Sequence, residues 1–300
     1  MPLPPSFPDL VALELFLSVV REGSVSRAAA AHGIAQPSAT NRIKTLERQL
    51  GMRLLDRTTA GSTPTAEGSV VAGWAERVVR AAEELSAGVN ALKAAATGEV
   101  RIAASYTVAE YLLPTWLDRH RRERPEDRIE LEVVNSASVL DRLRSGVADL
   151  GFIESPIEID DLAHRALAVD RLVTVVAPGH PWAERTWVPV EALVTTPLVL
   201  REIGSGTRES LDASLASLGY DAPIAHLELG STSAVKAAIA TGRSPGVLSD
   251  LAVADDIGAG RLAVVNVRGL AIERTLRVVW SSARPLPPSA ADLVERIAGA

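Results

Sequence analysis

The stretch Ser24–Gly51, SVSRAAAAHGIAQPSATNRIKTLERQLG, decides how this chain is read. Ser24 or Ser26 can cap a first helix by accepting hydrogen bonds from its orphan amides. Ala28–Ala31 are strong helix formers, and Gly33 ends the helix because glycine tolerates the left-handed conformation there. Pro37 sits where a second helix can open. Ile43, Leu46 and Leu50 fall on one face of that helix, and Ser38, Asn41, Arg42 and Lys44 on the other. Two helices joined by a tight glycine turn, the second polar and basic along one face, form a helix-turn-helix whose second helix can enter a major groove.

Composition sets the frame around it. A chain of 300 residues holds two ordinary domains, and 47% hydrophobic with 23% charged residues is a globular composition. The absence of cysteine excludes disulfides, thiolate metal sites and cysteine nucleophiles. MPLPPSFPDL lacks the basic and apolar regions of a signal peptide, and no apolar run is long enough to span a bilayer; a cytoplasmic protein without membrane partners is expected. The charge is uneven. Between Arg27 and Arg57 six basic residues stand against two acidic ones, a balance of +4, so with −6 overall the remainder carries −10. A basic segment on an acidic body fits a DNA-binding module joined to a sensing module, although an ordinary solvated helix face would give the same charge.

Outward from the opening stretch, Asp9 can cap a helix with Leu10, Leu13, Phe16, Leu17 and Val20 at helical spacing, stopped by Gly23. After Gly51, RLLDRTTAGSTPTAEG reads as a β-hairpin wing on which Arg53, Arg57 and Thr58 can meet phosphates. From Ala66 to about Ala96 the spacing predicts one long helix. Val71, Trp74, Val78, Ala81, Leu85, Gly88 and Leu92 form a heptad seam on it, read here as a dimerisation surface, with packing on its own domain as the plainer alternative. Thr97-Gly98 breaks it. Strands and helices then alternate: strand Val100–Ala104, one helix carrying Val108 to Leu117, strand Ile129–Val134, helix Val139–Ser145 and strand Leu150–Ile153. A second group begins near Leu172 with strands LVTVVA and PLVL, helix Ser210–Ser217, strand Ala225–Leu229 and helix Ser233–Thr241. It continues with strand GVLS, helix Leu251–Ile257 and strands Leu262–Val267 and Thr275–Trp280, before a helix from Ala290. This alternation predicts parallel sheet in two α/β lobes that the chain crosses twice.

Residues 13–68 resemble the N-terminal domain of LysR-type transcriptional regulators, with SRAA, QPS, IKTLE, LG and the LLDR–TAEG frame as the densest matches. The remainder resembles that family's effector domain, similar to type 2 periplasmic binding proteins. The resemblance implies an α/β chain with an α-rich N-terminal winged helix-turn-helix (1–65), a linker and dimerisation helix (66–96) and a two-lobed effector-binding domain (97–300). Lobe I would hold about 97–168 and 270–300, and lobe II about 169–269. It implies homodimers that pair into dimers of dimers, binding to interrupted inverted repeats in double-stranded DNA, a small-molecule effector, recruitment of RNA polymerase, and no cofactor. By position the DNA-facing set is Ser26, Arg27, Gln36, Pro37, Ser38, Asn41, Arg42, Lys44, Arg53, Arg57 and Thr58. Gln36 can read adenine, and Arg42 can hold guanine or a phosphate. Three positions depart from the family pattern: Ala35 lacks a capping hydroxyl, Asn41 is short, and Ala60 stands where the wing arginine is usual.

An effector between two such lobes meets strand ends and helix starts. Ser105-Tyr106-Thr107, Gly204-Ser205-Gly206-Thr207-Arg208 with Arg201, and Ser231-Thr232 are such places, and hydroxyls with free amides suit a carboxylate, sulfate or phosphate. Each could equally be a plain helix cap. Glu154 completes the candidate set, although a carboxylate there repels an anion and suits an amine or hydroxyl. The GSG triplet lacks the third glycine or the lysine of a phosphate loop. A solute-binding transport protein fits the second half of the chain but not its first 65 residues. An enzyme on the same frame finds no support, because His32, His120, His164, His180 and His226 are scattered and form no catalytic or metal-ligating spacing.

Overall fold

The computed structural model describes residues 7–58, 61–97 and 99–298, the side chains at 57, 58, 87 and 90–97 excepted. The chain divides into two units, Met1–Ser86 and Ala87–Ala300.

In the first unit Asp9 caps α1 (Leu10–Glu22) by accepting from the Val11 amide, and Gly23 at φ 62° closes it. Ser24, not Ser26, caps α2 (Val25–Ala31), through the Arg27 amide. Gly33 at φ 63° turns the chain into α3 (Gln36–Leu50), whose N-cap Ala35 supplies no side-chain hydrogen bond. The wing is an antiparallel hairpin, β1 (Leu55–Thr58) with β2 (Gly61–Pro64). Glu47 Oε1 accepts from the Leu54 and Leu55 amides at 2.9 and 3.2 Å, tying the wing's start to α3. At the far side Ser62 N donates to Gly23 O at 2.9 Å, and a Cβ on Gly61 would lie 2.6 Å from that carbonyl, so glycine is required there.

Leu15, Phe16, Val19, Ala28, Ala39, Ile43, Leu46 and Leu54 make the core of this unit, joined by Val71, Ala72 and Ala75 of α4 (Ala66–Thr97). The expected seam on α4 therefore splits. Val71 is buried and Val78 half-buried in the unit's own core, as an amphipathic helix requires. Trp74 and Leu85 are exposed, 57% and 71%. The side chain of Leu92 lies outside the described residues.

The second unit runs β3 (Glu99–Ala104), α5 (Tyr106–Tyr111), α6 (Leu113–Glu123), β4 (Arg128–Val133), α7 (Ser136–Arg144), β5 (Leu150–Ile153) and β6 (Leu162–Val176). It continues β7 (Val188–Pro189), α8 (Val190–Thr195), β8 (Leu198–Arg201), α9 (Gly206–Ser217), β9 (Ala225–Leu229), α10 (Thr232–Thr241), β10 (Gly246–Ser249) and α11 (Asp250–Gly258). The last elements are β11 (Ala263–Val265), β12 (Val267–Arg268), β13 (Ile272–Ser281) and α12 (Pro288–Ala298). One nine-stranded sheet follows the order β4-β3-β5-β13-β6-β10-β8-β9, with β11 also on β6. Its flanks are parallel, β3 with β4 and β5, and β8 with β9 and β10. Its centre is antiparallel, so the parallel expectation holds only outside the two middle strands.

Those strands make two lobes from one sheet. Val100, Ile102, Phe152, Leu276 and Val278 pack one face of the first lobe, and Ala103, Val139, Ile153 and Val279 the other. Leu172, Val176, Leu198, Leu211 and Ile272 pack one face of the second, and Val175, Val199, Val235 and Leu248 the other. β6 and β13 pair antiparallel from Ile272↔Leu172 to Ser281↔Leu162 and pass from one core to the other between Ala168 and Leu172, and between Ile272 and Leu276.

Several boundaries differ from the sequence expectation. β6 begins at Leu162, ten residues before the expected start, because its first half, mostly exposed or half-buried and interrupted by His164 and Arg165, lacks the apolar run of its second half. The helix expected over Val108–Leu117 breaks at Leu112 (φ −120°), since Pro114 has no amide to donate and disfavours helical backbone just before it. α9 starts at Gly206, so Thr207 and Arg208 belong to a helix turn, not to a loop. β7 and α8 were not expected, and the strand expected over Leu262–Val267 divides into β11 and β12.

Candidate functional site

The polar face of α3 is open. Gln36, Pro37, Ser38, Asn41, Arg42 and Lys44 are all exposed, as are Ser26 and Arg27 on α2 and Arg53 before the wing. Ser38, Asn41, Arg42 and Thr45 line a groove of about 420 Å³ together with Asp9 at the head of α1. Among the described residues Arg42 and Lys44 form no ion pair. Arg27 instead donates to the Glu22 carbonyl and pairs with its carboxylate at 3.6 Å, and Arg53 pairs with Asp56 at 3.5 Å. Unpaired cations on a rigid helix are what phosphate and base-edge contact requires; cations already paired must first let go. Arg57 and Thr58 lie on β1 with their side chains outside the described residues, and Ala60 lies outside them altogether.

The second unit gathers its candidates at the carboxyl ends of its strands. Ser105 follows β3, Glu154 follows β5, Ser205 precedes α9 and Ser231 precedes α10. Ser105, Thr107, Glu154 and Thr207 come together and are buried. Ser105 Oγ donates to Glu154 Oε2 at 3.2 Å and Thr207 Oγ1 to Glu154 Oε1 at 3.5 Å. The other candidates have separate duties. Arg201 is held as a fork by Glu202 (2.7 and 2.8 Å), donates to Thr232 Oγ1 at 3.3 Å, and lies 4.6 Å over the Tyr106 ring. Arg208 pairs with Asp212 within its own helix at 2.8 Å, while its Nη1 is buried without a partner among the described residues. Ser231 is a plain cap on the Ala234 amide. Ser205 is not one: its buried Oγ also has no partner among the described residues.

Burial and pairing set the charges. Burial alone would raise the Glu202 carboxyl, but the Arg201 fork outweighs it and holds the group below its ordinary value. Glu209 has no such cation; burial raises it, against the opposing hydrogen bond from Ser155 Oγ at 2.5 Å.

The two lobes meet around this cluster. Ala137 N donates to Gly204 O at 3.0 Å, and Tyr111 OH reaches Ala252 O at 3.5 Å. A Cβ on Gly206 would come within 2.7 Å of Glu154 Cγ and carbonyl carbon, so glycine permits that approach. Sequence reading missed the centre of the cluster, Arg274 of β13 with Asp170 of β6 and Ser249 at the end of β10. The signal was there: in Ile272-Glu273-Arg274-Thr275-Leu276 the arginine occupies an inward position between two core residues.

Residues 93–300 match the LysR substrate binding domain, and residues 10–69 the bacterial regulatory helix-turn-helix of the lysR family. The chain belongs to the LysR family. An HTH-type transcriptional regulator of Mycobacterium tuberculosis (strain H37Rv) is 41% identical over 99% of this chain and 98% of its own. The regulator CysL of Bacillus subtilis is 31% identical, covering 90% of each. Among solved structures, the regulatory domain of CcmR from Synechocystis PCC6803 in complex with 2-PG is 26% identical with a TM-score of 0.61, over 67% of this chain and 96% of that one. Full-length OxyR of Pseudomonas aeruginosa, at 22% identity and a TM-score of 0.57, shares the fold over 97% of this chain and all of its own. This LysR-family chain is thus a transcriptional regulator with a helix-turn-helix DNA-binding unit and an effector-binding domain. No helix among the described residues is long and apolar enough to cross a membrane.

Proposed function

We propose that this regulator, acting in the cytoplasm and catalysing no reaction, binds interrupted inverted repeats at promoters as a homodimer or a dimer of dimers. We propose further that a small anionic or carboxylate-bearing effector between its two lobes changes its contact with RNA polymerase. Residues 1–65 bind DNA through α2, α3 and the wing, 66–96 link and dimerise, and 97–300 sense. Trp74 and Leu85, large and exposed on one long helix, support the dimer, since an uncovered apolar stripe on a helix is stable when a second copy covers it.

The observation that carries the effector reading is a pair of buried donors without partners among the described residues, Ser205 Oγ and Arg208 Nη1, at the cap and opening turn of α9 that also carries Thr207. Buried donors are normally satisfied, and an anion at a helix start satisfies hydroxyl, guanidinium and amides together. CcmR, seen with 2-PG on the same fold, supports a small ligand in a domain of this kind. The test is thermal unfolding of the full chain with inorganic sulfate, inorganic phosphate and a panel of small carboxylates. At a ligand concentration about 100 times Kd, the binding linkage gives about 2.7 kcal/mol of stabilisation. Replacing both Thr107→Ala and Ser205→Ala should remove most of that gain. A full gain in the double variant, or no anion that stabilises the parent, sinks the reading.

A further inference from the structure

Arg274 lies where β6 and β13 pass from the core of one lobe to that of the other, directly across from Asp170. Its side chain is 1% exposed. Nε donates to Asp170 Oδ2 at 2.7 Å, and Nη2 lies 2.6 Å from the same oxygen. Ser249 Oγ holds the other Asp170 oxygen at 2.7 Å. On its free side Nη2 donates to Thr107 Oγ1 at 3.1 Å, and Nη1 donates to Thr207 Oγ1 at 2.9 Å with Glu154 Oε1 at 3.4 Å. Thr107 belongs to α5, in the first lobe, and Thr207 to α9, in the second. One guanidinium therefore holds a hydroxyl from each lobe.

We propose that Arg274 is a positioning residue that joins the two halves of the effector cleft and fixes the angle between the lobes. The guanidinium is a planar, rigid fork, and buried as it is it relies on Asp170 for its counter-charge. Arg274 and Asp170 ride on the two strands that both lobes share, so they stay together when one lobe turns against the other. Thr107 and Thr207 ride on different lobes, and only one angle lets both reach the same fork. A ligand that pulls on either threonine is then felt at the other, through a pair of hydrogen bonds with discrete made and broken states. The proposed effect on effector response rests on the cleft reading above; the joining of the lobes does not.

The experiment is hydrogen exchange on the full chain, read at the first turns of α5 and α9. Thr107→Val, a change in the first lobe, should speed exchange at the opening of α9 in the second by about tenfold or more, the least that loss of one hydrogen bond to a charged group implies. Thr207→Val should do the same at α5. In an Arg274→Lys background, where an ammonium cannot span both hydroxyls, neither change should cross between the lobes. Cross-lobe effects that persist undiminished with lysine, or that are missing in the parent, overturn the proposal. Because the threonine variants in the parent background test it alone, a lysine variant that fails to fold leaves the first arm decisive. In a second arm, inorganic sulfate and phosphate should stabilise the parent against heat and Arg274→Lys less. An equal gain in both overturns the role of Arg274 in effector response. No gain in either sinks the anion reading while the exchange result still decides whether Arg274 joins the lobes.

Discussion

The two units put their polar residues to opposite uses. On α3 the candidate side chains are exposed and come from one continuous stretch, and Arg42 and Lys44 form no ion pair among the described residues. In the cleft Ser105, Thr107, Glu154, Thr207 and Arg274 are buried and bonded to one another, with partners as far apart in sequence as Thr107 and Arg274, 167 positions. The first arrangement is a surface waiting for a polyanion. The second is a network in which each group depends on the rest, because low local dielectric strengthens satisfied bonds and penalises orphaned ones. Substitutions should therefore act independently on α3 and non-additively in the cleft.

The largest effect expected is Asp170→Ala. It leaves Arg274 buried without its main counter-charge, and removing one partner of a buried ion pair costs about 3–5 kcal/mol. Urea unfolding followed by tryptophan fluorescence reports this well, since Trp116, Trp182, Trp187 and Trp280 lie in the second unit and only Trp74 in the first. A loss of under about 1 kcal/mol would mean that Arg274 is held by its hydroxyl partners instead, and that the network is weaker than its geometry suggests.

Next is Arg42→Ala, which tests the other side of the contrast. A side chain that is exposed and unpaired has nothing inside the protein to lose, so the melting temperature should not move. Specific promoter affinity should fall by about 1–3 kcal/mol, between fivefold and 150-fold, in a gel shift at fixed salt. Undiminished specific binding would remove Arg42 from the interface. A drop in stability as large as the drop in affinity would show that α3 is not the independent surface described.

The same contrast explains what was legible in the sequence. Helix starts and stops at Asp9, Gly23, Ser24, Gly33 and Pro37 are local chemistry, and all of them appear in the structure. So does the open face of α3. In the cleft, Ser105, Thr107, Glu154 and Thr207 were legible because they sit at strand ends and helix starts, but what holds them was not. Arg201 and Arg208 read as cations beside a glycine loop. Their carboxylate partners, Glu202 and Asp212, are sequence neighbours that could have been read as pairs. Arg274 and Asp170 meet only through a strand register set by the whole sheet, and no local spacing announces that. The length of β6 was hidden for a related reason: its first half sets His164 and Arg165 among small apolar residues and has neither the alternation nor the apolar run that marks a strand.

The smallest effect comes from Glu209, a cleft residue whose charge no arginine balances, and it asks whether the network reaches that far. Burial raises its carboxyl above the ordinary value of 4.5. The folded state then holds the proton more tightly than the unfolded one. Its contribution is fully present below 4.5 and is lost as pH rises through the folded value, leaving an uncompensated buried charge at neutral pH. Glu209→Gln keeps an oxygen to accept from Ser155 and removes the charge, so it should be slightly more stable than the parent at neutral pH and lose that advantage in acid. Unfolding curves collected between about pH 4 and pH 8 measure the difference directly. Parallel curves would mean that the carboxylate is already solvated or paired, which would place Glu209 with the open chemistry of α3 rather than with the closed chemistry around Arg274.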